Sequence, residues 1–408
     1  MARPQIVREC GSRAFALLAR EVLWLWLRRM SPTAPLQELC LTISRDRFAR
    51  LLELLHEDGY RLVGPTVRDG AIVHDTISGA GDLPEGFGES QERGTYRLES
   101  RGDRALFGYA VGPHSWKASF FAPTVPLWRA RRKDGSFVVL EQGVREQPPL
   151  ALIGARSCDL HAIAIQDRVF LEGDAVDPAY AARRRRTFVV AVNCGRAGGT
   201  CFCVSMGTGP RATLGFDLAL TELLDDRGHR FVVEIGSEPG RDAIARIGAE
   251  ETTPEDREAA DAVVARTAEH MGRQMPTDGI KELLYASVDH PRWDDVAARC
   301  LACANCTLAC PTCFCSTVED RTDLAGEVAE RVQRWDSCFT MEHSHVHGGS
   351  VHASIKSRYR QWLTHKLASW IDQFGTSGCV GCGRCITWCP AAIDITEEVA
   401  ALREAPRR

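Results

Sequence analysis

The sequence predicts two domains of different class: an α+β domain with a partly parallel sheet over 31–250, and an α-helical, cysteine-rich domain over 291–408. The parallel sheet is predicted from 150–194, where two apolar runs flank helical segments. A strand–helix–strand crossover of this kind places its two strands parallel. The helical domain is predicted from 318–334 and 354–374, which carry helical periodicity between two cysteine-rich runs.

Shorter patterns predict the remaining elements of the first domain. Apolar residues recur at helical spacing from Ser44 until Gly59, which predicts a helix. The polar turn 225–228 lies between two apolar runs and predicts a β-hairpin. A helical connector is predicted over 251–290. Strands are predicted at 60–63, 71–74, 95–99, 105–110 and 137–141, and a loop is predicted over 76–94.

Composition limits the class of protein. The chain has 408 residues, 44% of them hydrophobic, and a formal charge of −4, which argues against nucleic acid as a partner. Seventeen cysteines would suit a disulfide scaffold only in a short secreted chain. Eleven of them lie between Cys300 and Cys389 at the spacing of metal ligands, which need reduced thiols. We therefore expect a cytoplasmic protein.

The segment 1–30 is predicted to be an extension outside both domains. Its apolar stretch 14–27 is interrupted by Arg20 and Glu21, and it is shorter than the about 20 residues that a membrane-spanning helix needs. We therefore expect no membrane span. Two interpretations of the segment stay open: the natural start is Met30, or the segment is a docking helix.

Two runs with the same cysteine spacing lie in the second domain. The first has Cys300, Cys303, Cys306 and Cys310 before Pro311, and the second has Cys379, Cys382, Cys385 and Cys389 before Pro390. Three closely spaced thiolates bind one cubane [4Fe–4S] cluster, and the fourth, before proline, usually binds the cluster of the partner run. The runs therefore predict two [4Fe–4S] clusters. The 68 residues between the runs favour an α-helical ferredoxin-type dicluster domain over a small sheet-based ferredoxin.

Four upstream cysteines form a further candidate site: Cys158, Cys194, Cys201 and Cys203. Two of them follow predicted parallel strands, and ligands of open α/β sheets bind at that edge. We expect the four thiols to hold a third [4Fe–4S] cluster. Two alternatives stay open, a zinc site and buried cysteines without a ligand.

Other residues near the runs have more than one interpretation. Arg384 either lies on the surface or raises the potential of its cluster by stabilising the reduced, more negative form. A three-thiolate set with one histidine is a further metal-site hypothesis, although such histidines are more often in exposed loops. Its members are Cys313, Cys315 and Cys338, with His343, His345 or His347.

Fingerprints of substrate and nucleotide sites are absent from the sequence. There is no Gly-x-Gly-x-x-Gly after a strand and no P-loop, and the nearest segment, 79–84, lacks the third glycine. No hydrolase-type nucleophile motif occurs. We therefore expect neither a nicotinamide nor a flavin site in this chain.

Five segments together resemble the β subunit of cytoplasmic NiFe hydrogenases, or sulfhydrogenases, a family related to the A-type subunit of anaerobic sulfite reductases. The resemblance covers about 45–400, and its segments are 155–161, 193–203, 300–315, 335–338 and 379–390. It implies an iron–sulfur subunit that transfers electrons between the small and large NiFe hydrogenase subunits and a γ subunit that binds FAD and NAD(P). Two alternatives stay open: the A-type subunit of an anaerobic sulfite reductase, and a cluster-based redox sensor or assembly protein.

Overall fold

The computed structural model describes residues 40–142 and 148–404. The predicted extension 1–30, with its Cys10 and the alternative start at Met30, lies outside these residues. Within the described ranges, no helix combines the length and the apolar character that crossing a membrane requires.

The elements are numbered in chain order. The strands are β1 (Cys40–Ser44), β2 (Arg61–Arg68), β3 (Ala71–Thr76), β4 (Phe87–Glu92), β5 (Thr95–Ser100), β6 (Thr124–Lys133), β7 (Ser136–Gln142), β8 (Leu150–Ala155), β9 (Thr187–Val192), β10 (Leu218–Asp225), β11 (Gly228–Ile235), β12 (Glu250–Glu251), β13 (Ser316–Thr322), β14 (Val328–Trp335), β15 (His345–Val346) and β16 (Gly349–Ser350). The α-helices are α1 (Arg45–Glu57), α2 (Lys117–Phe120), α3 (Ser157–Leu171), α4 (Pro178–Arg185), α5 (Glu238–Ile247), α6 (Pro254–Glu269), α7 (Ile280–Ala286), α8 (Arg292–Arg299), α9 (Asn305–Leu308), α10 (Ile355–Thr364), α11 (Trp370–Phe374), α12 (Arg384–Thr387) and α13 (Ile395–Arg403).

A mixed eight-stranded sheet forms the centre of the N-terminal region, with the strand order β12-β1-β11-β10-β9-β8-β2-β3. Strands β10, β9, β8 and β2 are parallel, and the outer pairs are antiparallel. Helices α3 and α4 connect β8 to β9, which confirms the crossover predicted for 150–194. The carboxyl ends of β8 and β9 therefore meet at one edge of the sheet.

Helices cover both faces of this sheet. On one face, α1 and α5 pack on it, and the Phe48 ring of α1 lies 4.9 Å from the Phe231 ring of β11. On the opposite face, Leu160 of α3 shares a buried cluster with Leu152 of β8. The sheet is thus the middle layer of three, with helices on both faces. This arrangement supports the residues that follow β8 and β9.

The segment 105–110 is not the strand that its alternating pattern predicts. Its backbone groups bond to side chains instead of a neighbouring strand. The Glu222 carboxylate accepts from the Phe107 N–H at 3.0 Å, and the Arg156 guanidinium donates to the carbonyls of Phe107 and Tyr109 at 3.1 and 2.7 Å. Because these bonds satisfy the backbone, the segment needs no strand partner.

The loop predicted over 76–94 is wrong in part. Strand β4 lies within this segment and pairs with β5.

A second, antiparallel sheet has the strand order β13-β14-β6-β7 and combines strands from both predicted domains. The helix predicted over 318–334 is wrong, because this segment forms the hairpin of β13 and β14, with Ser316 opposite Trp335. The turn contains Gly326 with a φ of 67°. β14 also pairs with β6, which lies about 200 residues earlier. This long-range pairing outweighs the local helical spacing.

The helix predicted over 354–374 is present as α10 and α11, joined by a π-helical turn at His365–Ser369. Its buried residues, such as Trp362, pack in a core with Trp293 and Ile386. π-Helical turns occur frequently at functional sites. This one contains Lys366, which lies beside the cysteine runs.

Candidate iron–sulfur sites

The first cysteine run begins in a tight loop between α8 and α9, with Cys306 in α9 and Cys310 just after it. Ala302 and Ala304 have φ angles of 50° and 67°, which turn the backbone around the thiols. The Ala302 N–H donates to Cys300 Sγ at 3.4 Å. A cavity beside the loop is lined by cysteines of both runs, including Cys300, Cys303, Cys306 and Cys389. The fourth cysteine of the second run thus lies with the first three of the first run.

The second run repeats this loop. Gly381 and Gly383 have φ angles of 65° and 73° at the positions equivalent to Ala302 and Ala304, and α12 follows as α9 follows in the first run. The charge of Cys310 acts on all three first thiols of this run, Cys379, Cys382 and Cys385. The two runs are therefore pseudo-symmetric, with Cys389 beside the first three cysteines of the first run and Cys310 near the first three of the second.

Three cysteines of the two runs are buried, four are partly buried, and Cys303 is exposed. Burial makes ionisation of a thiol unfavourable. Burial raises the pKa of Cys379 to about 12, and it also raises the pKa of Cys306 and of Cys385. Metal binding requires the thiolate form, so positive charge has to compensate for burial. Bound iron ions would supply such positive charge, and cationic side chains of the protein add to it.

Two buried lysines show that an anionic group fits between the runs. Lys366 is 3% exposed and its Nζ lies 3.3 Å from Cys310 Sγ and 3.6 Å from Cys313 Sγ. Its other contacts are neutral oxygens, one of them Gly378 O at 3.0 Å. Burial alone would lower the pKa of Lys366, but the nearby Cys310 and Cys313 thiolates raise it. A buried ammonium among sulfurs requires a negative partner, which a thiolate-bound cluster provides.

Lys117 is the second of these lysines, with 4% exposure. Its Nζ bonds to the carbonyl of Leu308 at 3.2 Å and lies 4.0 Å from the centre of the Trp335 ring. Burial lowers the pKa of Lys117, while Cys313 and Cys310 oppose that shift. Lys366 therefore lies directly beside Cys310, and Lys117 is a second buried lysine whose pKa responds to the Cys310 charge.

The four upstream thiols act on one another electrostatically: Cys203 acts on Cys158, and Cys194 acts on both Cys201 and Cys203. Cys158 lies in the first turn of α3, directly after β8, and Cys194 follows β9. Burial raises the pKa of all four, and that of Cys203 rises to about 12. Two cations face this group, since Arg156 acts on Cys194 and Arg384 acts on Cys158. Four thiols are the number that one [4Fe–4S] cluster requires.

The upstream thiols and the second run are joined through their backbones. The Phe202 N–H donates to Gly381 O at 2.8 Å, and Cys201 Sγ lies 3.9 Å from Cys382 O. A Cβ added at Gly383 would lie 2.3 Å from Thr200 O. Only a residue without a side chain permits this approach, so the two sites are direct neighbours.

Arg384 lies between these two sites and is buried, not on the surface. It forms an ion pair with Asp159 of α3 at 3.0 Å and donates to His114 O at 3.1 Å. Its Nη1 has no hydrogen-bond partner among the described protein atoms. Burial opposes its charge, but Asp159 and Cys382 raise the pKa of Arg384. An unpaired buried donor beside Cys382 fits an anionic cluster at that position.

Comparison with known proteins is consistent with this geometry. Residues 299–393 match the 4Fe-4S dicluster domain family. The chain is 33% identical over 280 residues to sulfhydrogenase 2 subunit beta of Pyrococcus furiosus. The aligned residues make up 67% of this chain and 81% of the relative. The chain belongs to the sulfhydrogenase β-subunit family. It is therefore an iron–sulfur, electron-transfer subunit of hydrogenase β type with [4Fe–4S] clusters, as the resemblance predicts.

The further cysteines of this sulfhydrogenase β-type chain occupy two places. Cys313 lies with Cys310 beside Lys366, whereas the electrostatic surroundings of Cys315 are set mainly by Cys338 and His343. Two exposed histidines remain outside this group, His345 and His347. In the part of the chain that the structure describes, no three His, Cys, Asp or Glu side chains are grouped so that they could hold a single metal ion.

Sequence reasoning missed the buried cations of this sulfhydrogenase β-type chain. Lys117 and Arg156 lie in loops and short helices whose burial no local pattern indicates. Lys366 does carry a signal, because it stands four residues from both Trp362 and Trp370, which are buried. A lysine in the apolar register of a helix indicates a buried partner.

Proposed function

We propose that this subunit relays electrons between the small and large subunits of a NiFe hydrogenase and a γ subunit that binds FAD and NAD(P), in a cytoplasmic complex. The observation that carries the proposal is the contiguity of three cysteine sites. The two runs exchange their fourth cysteines, and the second run contacts the upstream site through Gly381 and Phe202. An uninterrupted series of sites is what a relay requires.

Three clusters are assigned in this proposal. The first run with Cys389 binds one, the second run with Cys310 binds another, and the four upstream thiols bind a third. Each cubane, when bound, takes up and releases one electron at a time. The chain's own residues bury the thiols and place positive charge beside them, at Lys366 for the second-run site and at Arg384 between that site and the upstream one.

An exposed edge strand supports assembly with a further protein of the complex. Among the described strands, β7 pairs on one side only, with β6. Four consecutive apolar side chains of β7 are 46–56% exposed, those at 137–140. An unpaired apolar edge of this kind is unfavourable in water and is typical of a contact surface.

Anaerobic affinity purification of the tagged chain with mass spectrometry tests the proposed partners. The expected result is co-purification of a flavin-containing nucleotide-binding chain together with hydrogenase small and large subunits. Recovery of a sirohaem-type reductase subunit instead would assign the chain to a sulfite reductase. Recovery of neither, with clusters that no flavoprotein reduces, would indicate a sensor or assembly protein.

The non-catalytic assignment is tested on the isolated chain. Anaerobically purified subunit with intact clusters should not oxidise NADPH and should not consume hydrogen, because it is proposed to hold neither the flavin nor the NiFe centre. Electron transfer from reduced methyl viologen to the clusters serves as the positive control. Robust activity with either substrate would overturn the relay assignment.

A further inference from the structure

A cavity of about 580 Å³ lies at the carboxyl ends of β9 and β10. Its walls come from four segments: the loop 101–108, the residues after β9, the end of β10 and helix α6. Asn193 and Gly195 line it and flank Cys194, but no cysteine is among the described residues that line it. Ligands of open α/β sheets bind at this edge, and cavities of about 300 to 1,000 Å³ are usual for small-molecule sites. The cavity is thus a candidate ligand site distinct from the thiol groups.

Carboxylates that line this cavity are already bound by groups of the chain itself. Glu222 accepts from the N–H groups of Leu106 and Phe107 at 2.6 and 3.0 Å. Asp225 forms a bidentate ion pair with Arg230, at 2.7 and 2.9 Å. Because these carboxylates have internal partners, they need no donor from a ligand. The hydrogen-bonding capacity that the cavity offers to a ligand therefore has to come from other side chains.

Three arginines from three segments line the same cavity, and they differ in their partners. Arg101 pairs with Asp103 at 2.6 Å, so its charge is compensated. Arg196 is partly buried and donates through Nη2 to Glu89 O at 2.8 Å, while its Nε and Nη1 have no acceptor among the described residues. Arg266 is exposed and has neither an ion pair nor a side-chain hydrogen bond within the described part of the chain. Two guanidinium groups therefore keep free donors.

Apolar side chains form another part of the cavity wall. Leu224 is 41% exposed, and Ala259 and Val263 are partly buried. Accessible apolar surface of this kind favours a ligand with an apolar body. Guanidinium groups bind both phosphate and carboxylate, but a phosphate presents three oxygens in different directions, whereas a carboxylate presents two in one plane. A phosphate is therefore the better match for two arginines that come from different segments.

We propose that this cavity binds a phosphate monoester with an apolar body, of the size of a nucleoside monophosphate. The phosphate oxygens accept hydrogen bonds from the Arg196 and Arg266 guanidinium groups, and the body packs against Val263 and Leu224. Glycine-rich loops that bind phosphate through backbone N–H groups are absent from the sequence, so the arginines supply the recognition. Binding involves no electron transfer, and the proposal therefore does not rest on the proposed relay.

Isothermal titration calorimetry of the anaerobically purified full chain with AMP tests the site. The expected result is saturable binding of one AMP per chain, with a Kd below about 1 mM. Adenosine lacks the phosphate and should bind at least about 10-fold more weakly, because it loses the charge-assisted hydrogen bonds. Inorganic phosphate should compete with AMP. Absence of saturable AMP binding, or equal affinity for AMP and adenosine, would overturn the proposal.

Variants decide whether AMP binds in this cavity. Arg196→Gln and Arg266→Gln should each weaken AMP binding by about 10-fold or more, because each removes charged donors to the phosphate. Arg257→Gln is the matched control and should leave the affinity unchanged, since Arg257 is an exposed arginine on the same helix as Arg266 but does not line the cavity. Thermal melting and iron content equal to those of the unsubstituted chain show that the fold is intact. Arg266→Gln decides the matter even if Arg196→Gln is unstable, because Arg266 has no side-chain bond in the described part of the chain to lose. Equal affinities of Arg266→Gln and Arg257→Gln would place AMP elsewhere and overturn the proposal.

Discussion

Lys366 is a buried lysine beside thiols, and its charge should tune the potential of one cluster. A unit charge about 6 Å away at an effective dielectric constant of about 20 contributes about 3 kcal/mol. For a one-electron couple this corresponds to on the order of 100 mV. Lys366→Met should therefore lower the midpoint potential of the second-run cluster by that order, because the reduced form loses its stabilising cation. Redox titration followed by electron paramagnetic resonance measures the shift.

Lys356→Met is the matched control for this substitution. Lys356 lies on the same helical segment, pairs with Asp294 at 2.8 Å, and has a side chain that is 35% exposed. Solvent screens its charge, so the potentials of all clusters should stay within experimental error. Equal potentials in both variants would show that Lys366 has only a structural role.

At the scale of residues, spacing predicts candidate ligands but not what surrounds them. The offsets within each run and the proline after it follow from local chain geometry around a cluster. The burial of Arg384 and of Lys366 depends on segments far apart in the sequence, such as α3 and the 378–383 loop. No pattern within the runs contains that information, so the sequence alone is compatible with both a surface and a cluster-facing Arg384.

At the scale of elements, the exchange of fourth cysteines between the runs leads to a prediction. Cys310→Ser should remove the same paramagnetic signal as Cys379→Ser, and Cys389→Ser should remove the same signal as Cys300→Ser. The reason is that Cys310 lies with the second run and Cys389 with the first. Spectra of the four reduced variants decide the matter. If Cys310→Ser instead resembles Cys300→Ser, each run binds its own cluster and the exchange is wrong.

The contact between the second run and the upstream segment leads to another prediction. Gly383→Ala should release iron and lower thermal stability strongly, because the new Cβ meets Thr200 O and the φ of 73° is strained. We expect a loss above about 2 kcal/mol. Gly375→Ala is the control, since Gly375 has a φ of 67° but nothing within 4 Å of the new Cβ. Its cost should be about 1 kcal/mol without loss of iron. Equal effects would mean that backbone strain, not the close approach, decides the outcome.

The elements themselves were predictable where local and long-range preferences agree. The crossover of β8 and β9 and the helix around Lys366 follow from periodicity that tertiary packing supports. The β13–β14 hairpin has charged residues at helical spacing, but pairing of β14 with β6 stabilises the strand. The segment 105–110 was predicted to be a strand and is not one, because carboxylate and guanidinium groups bind its backbone in place of a neighbouring strand.

At the scale of the whole molecule, the central sheet and the two cysteine runs are connected through the upstream segment. The central sheet places Cys158 and Cys194 at its edge, and the 200–203 segment carries the contact to the second run. The second run in turn shares its cysteines with the first. In the proposed relay, the sheet-edge site is one end and the first run is the other. The first-run end is the more open one, since Cys303 is exposed.

This order depends on the upstream site holding a cluster, which iron and sulfide analysis of the anaerobically purified chain decides. Three cubanes give about twelve irons per chain, and two give about eight. Cys203→Ser should lower the count by about four and leave the run signals in place, because its thiol belongs to the upstream group. Cys40→Ser should leave the count unchanged, since Cys40 lies in β1, away from the thiol groups. A value near eight in the unsubstituted chain would contradict the upstream cluster and shorten the relay to the two runs.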